Sequence, residues 1–161
     1  MAARCGAEVV GIDSDAAAVG ALWRRANAAS LPILPLVVDL ARPTPSTGWR
    51  NLENASFLDR AAGQFNAVLL LAVVHHLLIT SRIPLDQLLA LAAQLTTDWL
   101  IVEWVEPGDA MFQRLVRGRQ ELYAHLTSRY FETSLAPHFR ILRRQPIEGA
   151  QRVLYLLRKS S

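Results

Sequence analysis

Short apolar blocks alternate with stretches of helical character along most of this chain, and this alternation limits the folds that it can adopt. Four apolar blocks have the length of strands: 8–12, 34–38, 66–74 and 99–105. Two of the intervening stretches, 16–28 and 84–95, place apolar residues at helical spacing. Strands that alternate with crossover helices form a doubly wound, mostly parallel sheet. The sequence therefore predicts an α/β fold with a Rossmann-like sheet.

The last third of the chain departs from this alternation. Residues 109–126 and 128–136 have helical spacing, with Gly118 weakening the middle of the first stretch. They are followed by two strand-like segments, 139–144 and 152–157, on either side of a short turn. Strands joined in this way pair in antiparallel fashion. The predicted sheet therefore ends in an antiparallel hairpin.

The composition indicates the cellular environment in which the protein is expected to occur. Hydrophobic residues make up 52% of the chain but occur in short blocks, whereas a membrane span needs roughly 20 consecutive apolar residues. The single cysteine, Cys5, cannot form an internal disulfide, and no signal-peptide pattern precedes the first apolar block. We therefore expect one cytoplasmic domain over residues 1–161, with no metal site and no membrane partner. The oligomeric state is not defined by the sequence.

The basic residues are concentrated near the C-terminus. Residues 1–110 contain 7 basic and 11 acidic side chains, whereas residues 111–161 contain 10 basic and 3 acidic ones. Such asymmetry can mark contact with an anionic partner. However, 16 of the 17 basic residues are arginine, a skew that genome composition also produces. We therefore rank nucleic-acid binding last among the functions considered.

Polar residues follow the predicted strands, where doubly wound sheets bind their ligands. These residues are Asp13, Asp39, His75, His76, Glu103 and Glu106. Carboxylates accept hydrogen bonds from hydroxyl and amino groups, and an imidazole can transfer protons near neutral pH. Taken singly, each position is also explained by a helix cap, a turn or a strand end.

Taken together, these positions resemble class I S-adenosylmethionine-dependent methyltransferases. Val9-Val-Gly-Ile-Asp13 resembles the second strand of that family, and Asp39 matches the acid after the third strand. The segment 65–77, which ends in His-His-Leu, looks like the fourth strand. The closing hairpin is similar to the sixth and seventh strands, which distinguish the family from dinucleotide-binding dehydrogenases. The resemblance implies methyl transfer from S-adenosylmethionine to a small-molecule or saccharide-type acceptor.

The resemblance also implies which residues bind the cofactor. Asp13 would accept hydrogen bonds from both ribose hydroxyls, and Asp39 would bind the adenine amine. Leu40 and Ala72 would complete the cofactor-binding set.

Further residues would handle the acceptor. His75 or His76 would act as a general base or shape the acceptor pocket. Because adjacent residues on a strand point to opposite faces, only one of the two histidines is expected to reach the ligand. Glu103, Glu106 and Arg114 would bind a polar or anionic acceptor.

The chain departs from the family pattern at its start. The family opens with a strand and a Gly-rich turn, and residues 1–6 contain neither. From this we expect an internal or misassigned start, and an N-terminally truncated domain whose own activity is in doubt. The usual Pro-Gly-Gly turn before the fifth strand is also absent, and Leu95-Thr-Thr-Asp98 is expected to replace it as a shorter turn.

Two alternatives from other classes stay open. The missing Gly-rich turn is consistent with an inactive remnant or an interaction domain. A NAD-binding oxidoreductase also places an acid after its second strand. A reversed last strand beside the fifth would favour the methyltransferase. More loosely, segments 101–115 and 152–157 resemble a bacterial methyltransferase group associated with polysaccharide and nodulation-type loci.

Overall fold

A computed structural model describes residues 1–160 of the chain. The chain forms two compact units, Met1–Phe57 and Leu58–Ser161. Unit 1 contains a two-stranded sheet and unit 2 a four-stranded sheet. A single domain over the whole chain stays a prediction.

Unit 1 is a strand–helix–strand element, as the sequence predicts. It consists of a short 3-10 helix (Ala2–Cys5), β1 (Val9–Asp13), α1 (Ala16–Ala28) and β2 (Ile33–Val37), followed by a loop with a 3-10 turn (Trp49–Asn51). Strands β1 and β2 pair in parallel. Asp15 caps α1 by accepting a hydrogen bond from the backbone N–H of Ala17 at 2.8 Å. Gly11 allows α1 to approach β1 closely, since a Cβ at this position would lie 2.9 Å from Leu22.

The sheet of unit 2 has the strand order β3-β4-β6-β5. Its strands are β3 (Phe65–Leu70), β4 (Thr96–Val105), β5 (Phe139–Pro146) and β6 (Arg152–Lys159). Strand β3 is parallel to β4, whereas β6 is antiparallel to both β4 and β5. The predicted hairpin is therefore confirmed, and the last strand is inserted, reversed, beside β4.

Six helices accompany this sheet. They are α2 (Phe57–Ala61, which begins at the last residue of unit 1), α3 (Val74–Ile79), α4 (Leu85–Leu95), α5 (Ala110–Leu115), α6 (Gln120–Tyr123) and α7 (Ser128–Leu135). Helix α7 packs against the sheet through Phe131, whose ring centroid lies 4.4 Å from that of Trp104 and 5.1 Å from that of Tyr155. All three side chains are fully buried, and each such burial stabilises the fold by about 2 kcal/mol. No helix within residues 1–160 is long and apolar enough to cross a membrane.

Two predicted boundaries are wrong. The apolar run 66–74 does not form one strand, because β3 ends at Leu70 and Ala72 adopts a left-handed backbone conformation with φ of 55°. The run continues as the buried helix α3, and a short apolar run does not distinguish these two structures. The segment 95–98, predicted as a turn, already contains the start of β4. There the Thr96 hydroxyl bonds the backbone oxygen of Trp99 at 2.9 Å.

Candidate functional site

Two carboxylates lie at the carboxyl end of the parallel strand pair in unit 1. Asp13 is the last residue of β1, and its carbonyl accepts a hydrogen bond at 2.9 Å from the N–H of Val38, which follows β2. Asp39 is the next residue along the chain. The structure thus places Asp13 and Asp39 at neighbouring strand ends, where the sequence predicts them.

Local hydrogen bonds orient both carboxylates. Oδ1 of Asp13 accepts the backbone N–H of Asp15 at 2.9 Å, and Oδ1 of Asp39 accepts that of Ala41, also at 2.9 Å. Oδ2 of Asp39 contacts Nε of the exposed Arg42 at 3.2 Å. A carboxylate has roughly four lone-pair sites, so each of these groups can still accept hydrogen bonds from a ligand. Leu40 follows in the same turn and is half-buried.

In unit 2, the remaining predicted cofactor residue, Ala72, lies in the connection from β3 to α3. Ala72 is exposed and has a positive φ that a residue with a Cβ rarely adopts. Strain of this kind costs about 1–3 kcal/mol and concentrates at functional sites.

The sequence predicts His75 and His76 at the end of a strand, which is wrong. The structure places both residues on α3. Successive helical residues are rotated by about 100°, and one histidine is therefore turned inward and the other outward. His75 is 3% exposed, whereas His76 is exposed, and their ring centroids are 4.3 Å apart. Nδ1 of His75 is buried and has no hydrogen-bond partner among the residues that the structure describes.

Burial and neighbouring charges keep His75 neutral. Burial is the largest cause that lowers the pKa of this imidazole to about 4, and the charges of His76 and Arg152 act in the same direction. The carboxylates of Glu103 and Asp109 raise the pKa and partly offset these effects. At neutral pH the side chain is therefore uncharged.

A charge cluster joins β4, the loop after it and the start of β6. Nη1 of Arg152 lies 2.9 Å from Oε1 of Glu103, and its Nε lies 2.9 Å from Oδ2 of Asp109. Because Arg152 donates to Asp109, and the backbone N–H of Met111 also donates to it, the pKa of that carboxyl is lowered. The two carboxylates in turn raise the pKa of the Arg152 guanidinium.

The sequence did not identify this cluster. Glu103 was predicted at the end of its strand, but it lies inside β4, opposite Leu154 of β6. Neither Arg152 nor Asp109 is among the site residues that the sequence predicts. The only available signal was an arginine at the start of an otherwise apolar strand.

Glu106 has different hydrogen-bond partners from Glu103. Its carboxylate accepts a hydrogen bond from the hydroxyl of Ser128 at the start of α7. Its backbone N–H donates to the carbonyl of Gln151 at 2.9 Å, which links the loop after β4 to the turn before β6. The two acids predicted to act together on the acceptor therefore have different surroundings.

A pocket of about 410 Å³ lies between these two connections. It is lined by residues 108–111 and Arg114 on one side and by residues 149–152 on the other. Arg114, which was predicted to bind the acceptor, thus lies in the same pocket as Asp109 and Arg152. Within residues 1–160 there is no group of three or more His, Cys, Asp and Glu side chains that could hold a metal ion.

The chain matches no protein-family model. It is 33% identical over 156 residues to the nodulation protein NoeA of Rhizobium meliloti (strain 1021), an alignment that covers 96% of this chain and 32% of NoeA. The chain thus spans about a third of the length of this relative.

Solved structures share the fold. The magnesium protoporphyrin IX methyltransferase ChlM of Synechocystis PCC 6803 with bound SAH has a TM-score of 0.62 at 19% identity, covering 98% of this chain and 66% of ChlM. The PH0226 protein of Pyrococcus horikoshii OT3 has a TM-score of 0.64 at 11% identity, covering 98% of this chain and 74% of PH0226. The chain therefore shares the Rossmann-like α/β fold of these structures, as the sequence predicted.

Proposed function

We propose that this chain is a methyltransferase domain that binds S-adenosylmethionine and serves methyl transfer to a small-molecule or saccharide-type acceptor. The observation that carries the proposal is the position of β6, which lies reversed between β4 and β5 after a parallel β3–β4 pair. A reversed last strand beside the fifth is the feature that favours a methyltransferase over a NAD-binding oxidoreductase. The chain also shares its fold with a methyltransferase solved with SAM and with SAH.

The carboxylates of unit 1 suit the nucleoside part of the cofactor. Asp13 would accept hydrogen bonds from the ribose hydroxyls, and Asp39 would accept them from the adenine amine. Asp13 ends β1, Asp39 lies two residues after the end of β2, and turns hold both carboxylates. Little side-chain entropy is therefore lost on binding. Leu40, which follows Asp39 in the same turn, would supply a further contact, and the cofactor role of Ala72 in unit 2 stays a prediction.

When bound, S-adenosylmethionine supplies a methyl group on a sulfonium that an acceptor can displace in line. The chain's own residues then have to align the acceptor and, for some acceptors, take up a proton. A general base works best when its pKa is near the operating pH, and the pKa of His75, about 4, is far below this range. His75 would therefore act as a neutral hydrogen-bonding group, and the exposed His76 is the one of the two that an acceptor in solvent can reach.

The acceptor would bind in the pocket beside the charge cluster. Its volume of about 410 Å³ is in the range of small-molecule sites, about 300–1,000 Å³. Arg114 lines it and forms no ion pair within the described chain. Glu103 and Glu106, one held by Arg152 and the other by Ser128, would provide hydrogen-bond acceptors for hydroxyl or amino groups.

The test is calorimetric titration of S-adenosylhomocysteine into the chain and into Asp13→Asn and Asp39→Asn. We expect each variant to bind about tenfold more weakly, because each loses a hydrogen bond to a charged acceptor. Asp86→Asn, at an exposed position on α4, is the matched control and should bind like the parent chain. Failure of the parent chain to bind, or equal binding by Asp13→Asn, would contradict the cofactor roles proposed here.

A further inference from the structure

A second pocket in unit 2 is lined mainly by basic residues. It has a volume of about 380 Å³ and is lined by Arg140, Arg158, Lys159 and Ser160. Arg158 pairs across the sheet with Trp99, near the start of β4. At about 3.3 Å per residue, this end of β4 lies about 20 Å from the end at Val105 that leads to the acceptor pocket. The basic pocket therefore shares no residue with the proposed methyl-transfer site.

Two of these basic residues, both arginines, lie next to each other on one face of the sheet. Arg140 of β5 and Arg158 of β6 are directly paired in the antiparallel ladder, and directly opposed residues present their side chains on the same face of a sheet. Like charges at such positions repel each other. An arrangement of this kind is stabilised when an anion lies between the two guanidinium groups.

The charges at the pocket are only partly compensated. Arg158 contacts the carboxylate of Asp98 at 2.7 Å and lies over the ring of Trp99 at 4.4 Å. Lys159 donates to the backbone carbonyl of Thr96 at 2.9 Å, a contact that leaves its charge unneutralised. Arg140 has no ion pair within residues 1–160. Arg140, Arg158 and Asp98 together leave a net charge of +1, and Lys159, which is paired with the buried Phe139, adds its charge from the opposite face of the sheet.

Two of the basic side chains at this pocket, those of Arg158 and Lys159, are held in place by neighbouring residues. Asp98 and Trp99 hold Arg158, and the buried Thr96 holds Lys159. Little ordering is therefore needed when a ligand binds, since only the exposed Arg140 has to adjust. Guanidinium groups match the oxygens of phosphate with two parallel hydrogen bonds, and the Ser160 hydroxyl adds a further donor.

We propose that the pocket formed by Arg140, Arg158, Lys159 and Ser160 binds the phosphate group of a small soluble ligand. This proposal does not depend on the proposed methyl transfer, because the two sites use different residues at opposite ends of β4. A phosphate dianion would neutralise the excess charge and separate the two opposed arginines.

The experiment is a calorimetric titration of inorganic phosphate and of glucose 1-phosphate at low ionic strength, with Arg140→Gln as the test variant. Arg143→Gln is the matched control, because Arg143 is exposed on the same strand but does not line the pocket. We expect Arg140→Gln to weaken phosphate binding about tenfold, as expected for the loss of a charge-assisted hydrogen bond. Arg143→Gln should stay within about twofold of the parent chain, since it loses only screened long-range attraction.

Three outcomes would overturn the proposal. The first is that neither phosphate ligand binds. The second is that Arg143→Gln weakens binding as much as Arg140→Gln, which would indicate a diffuse effect of net charge. The third is that only vesicles containing phosphatidylglycerol bind, in a manner sensitive to Arg140, which would assign the surface to a membrane instead of a soluble ligand.

Discussion

Arg152 at the start of β6 holds the Asp109 carboxylate with two hydrogen bonds, from Nε to Oδ2 at 2.9 Å and from Nη2 to Oδ1 at 3.2 Å. Its remaining nitrogen, Nη1, bonds Glu103 at 2.9 Å. The Arg152 side chain is 25% exposed, and those of Asp109 and Glu103 are 7% and 12% exposed. One guanidinium therefore compensates two shielded carboxylates and fixes the turn before β6 against the loop after β4.

Replacing Arg152 by Gln should destabilise the protein by about 3 kcal/mol, because it leaves two shielded carboxylates without a counter-charge. The measurement is urea unfolding of the parent chain and the variant at neutral pH. Arg152→Lys should recover only part of the loss, since an ammonium cannot reproduce the two-point contact with Asp109.

The control for this prediction is Arg144→Gln. The Arg144 side chain is 59% exposed in its pair with Glu132, and ion pairs of this kind contribute less than about 1 kcal/mol. Equal destabilisation by Arg144→Gln and Arg152→Gln would mean that shielding does not distinguish the two ion pairs.

The buried His75 should make stability fall as the pH is lowered. Its pKa is about 4 in the folded protein and about 6.5 in the unfolded chain, so the unfolded state binds more protons between these values. The free energy of unfolding should therefore decrease by about 3 kcal/mol from pH 6.5 to pH 4 on account of this group. His75→Gln, followed by urea unfolding across the same range, should remove most of that decrease.

His125→Gln, at an exposed position, is the control and should keep the parent pH dependence. Below about pH 4 a second loss should follow, because the pKa of Asp109 is lowered in the folded protein and its stabilising effect disappears as the pH falls through that value. A parent chain with flat stability between pH 6.5 and pH 4 would contradict the assignment of His75 as a buried neutral imidazole.

Glu103 should influence His75 directly. The Glu103 carboxylate raises the pKa of His75 against the lowering effects of burial and of the Arg152 charge. Glu103→Gln should therefore lower the pKa of His75 further, which NMR titration of the imidazole protons can follow. Asp98→Asn, near the other end of β4, is the matched control and should leave that titration unchanged. A rise in the pKa of His75 in Glu103→Gln would show that the two groups do not interact as the structure indicates.

The fold was largely predictable because its signals are local. The apolar blocks, helix α1 and the final hairpin each follow from a repeat of two or of 3.6 residues. The positions of Asp13 and Asp39 follow from the strands that precede them. The insertion of β6 between β4 and β5 was expected only from the family resemblance, since no local pattern specifies the order of strands in a sheet.

The candidate site was less predictable because its contacts are distant in sequence. Arg152 is separated from Asp109 by 43 positions and from Glu103 by 49, and only the pairing of β4 with β6 brings them together. The change from β3 to α3 also depends on tertiary structure. Ala72 has no sequence feature that favours a positive φ, and the burial of the following helix offsets the strain of that conformation.

The opposed arginines of the hairpin should cost stability when no anion is present. Arg140 and Arg158 are direct neighbours across β5 and β6, so Arg140→Gln should stabilise the protein by about 0.5 kcal/mol in phosphate-free buffer at low ionic strength. The gain should shrink as NaCl is added, because salt screens the repulsion. Urea unfolding with and without NaCl measures both effects, and Arg143→Gln, which removes the same charge from β5, controls for net charge. If both variants gain equally, the repulsion belongs to the whole basic surface and not to the Arg140–Arg158 pair.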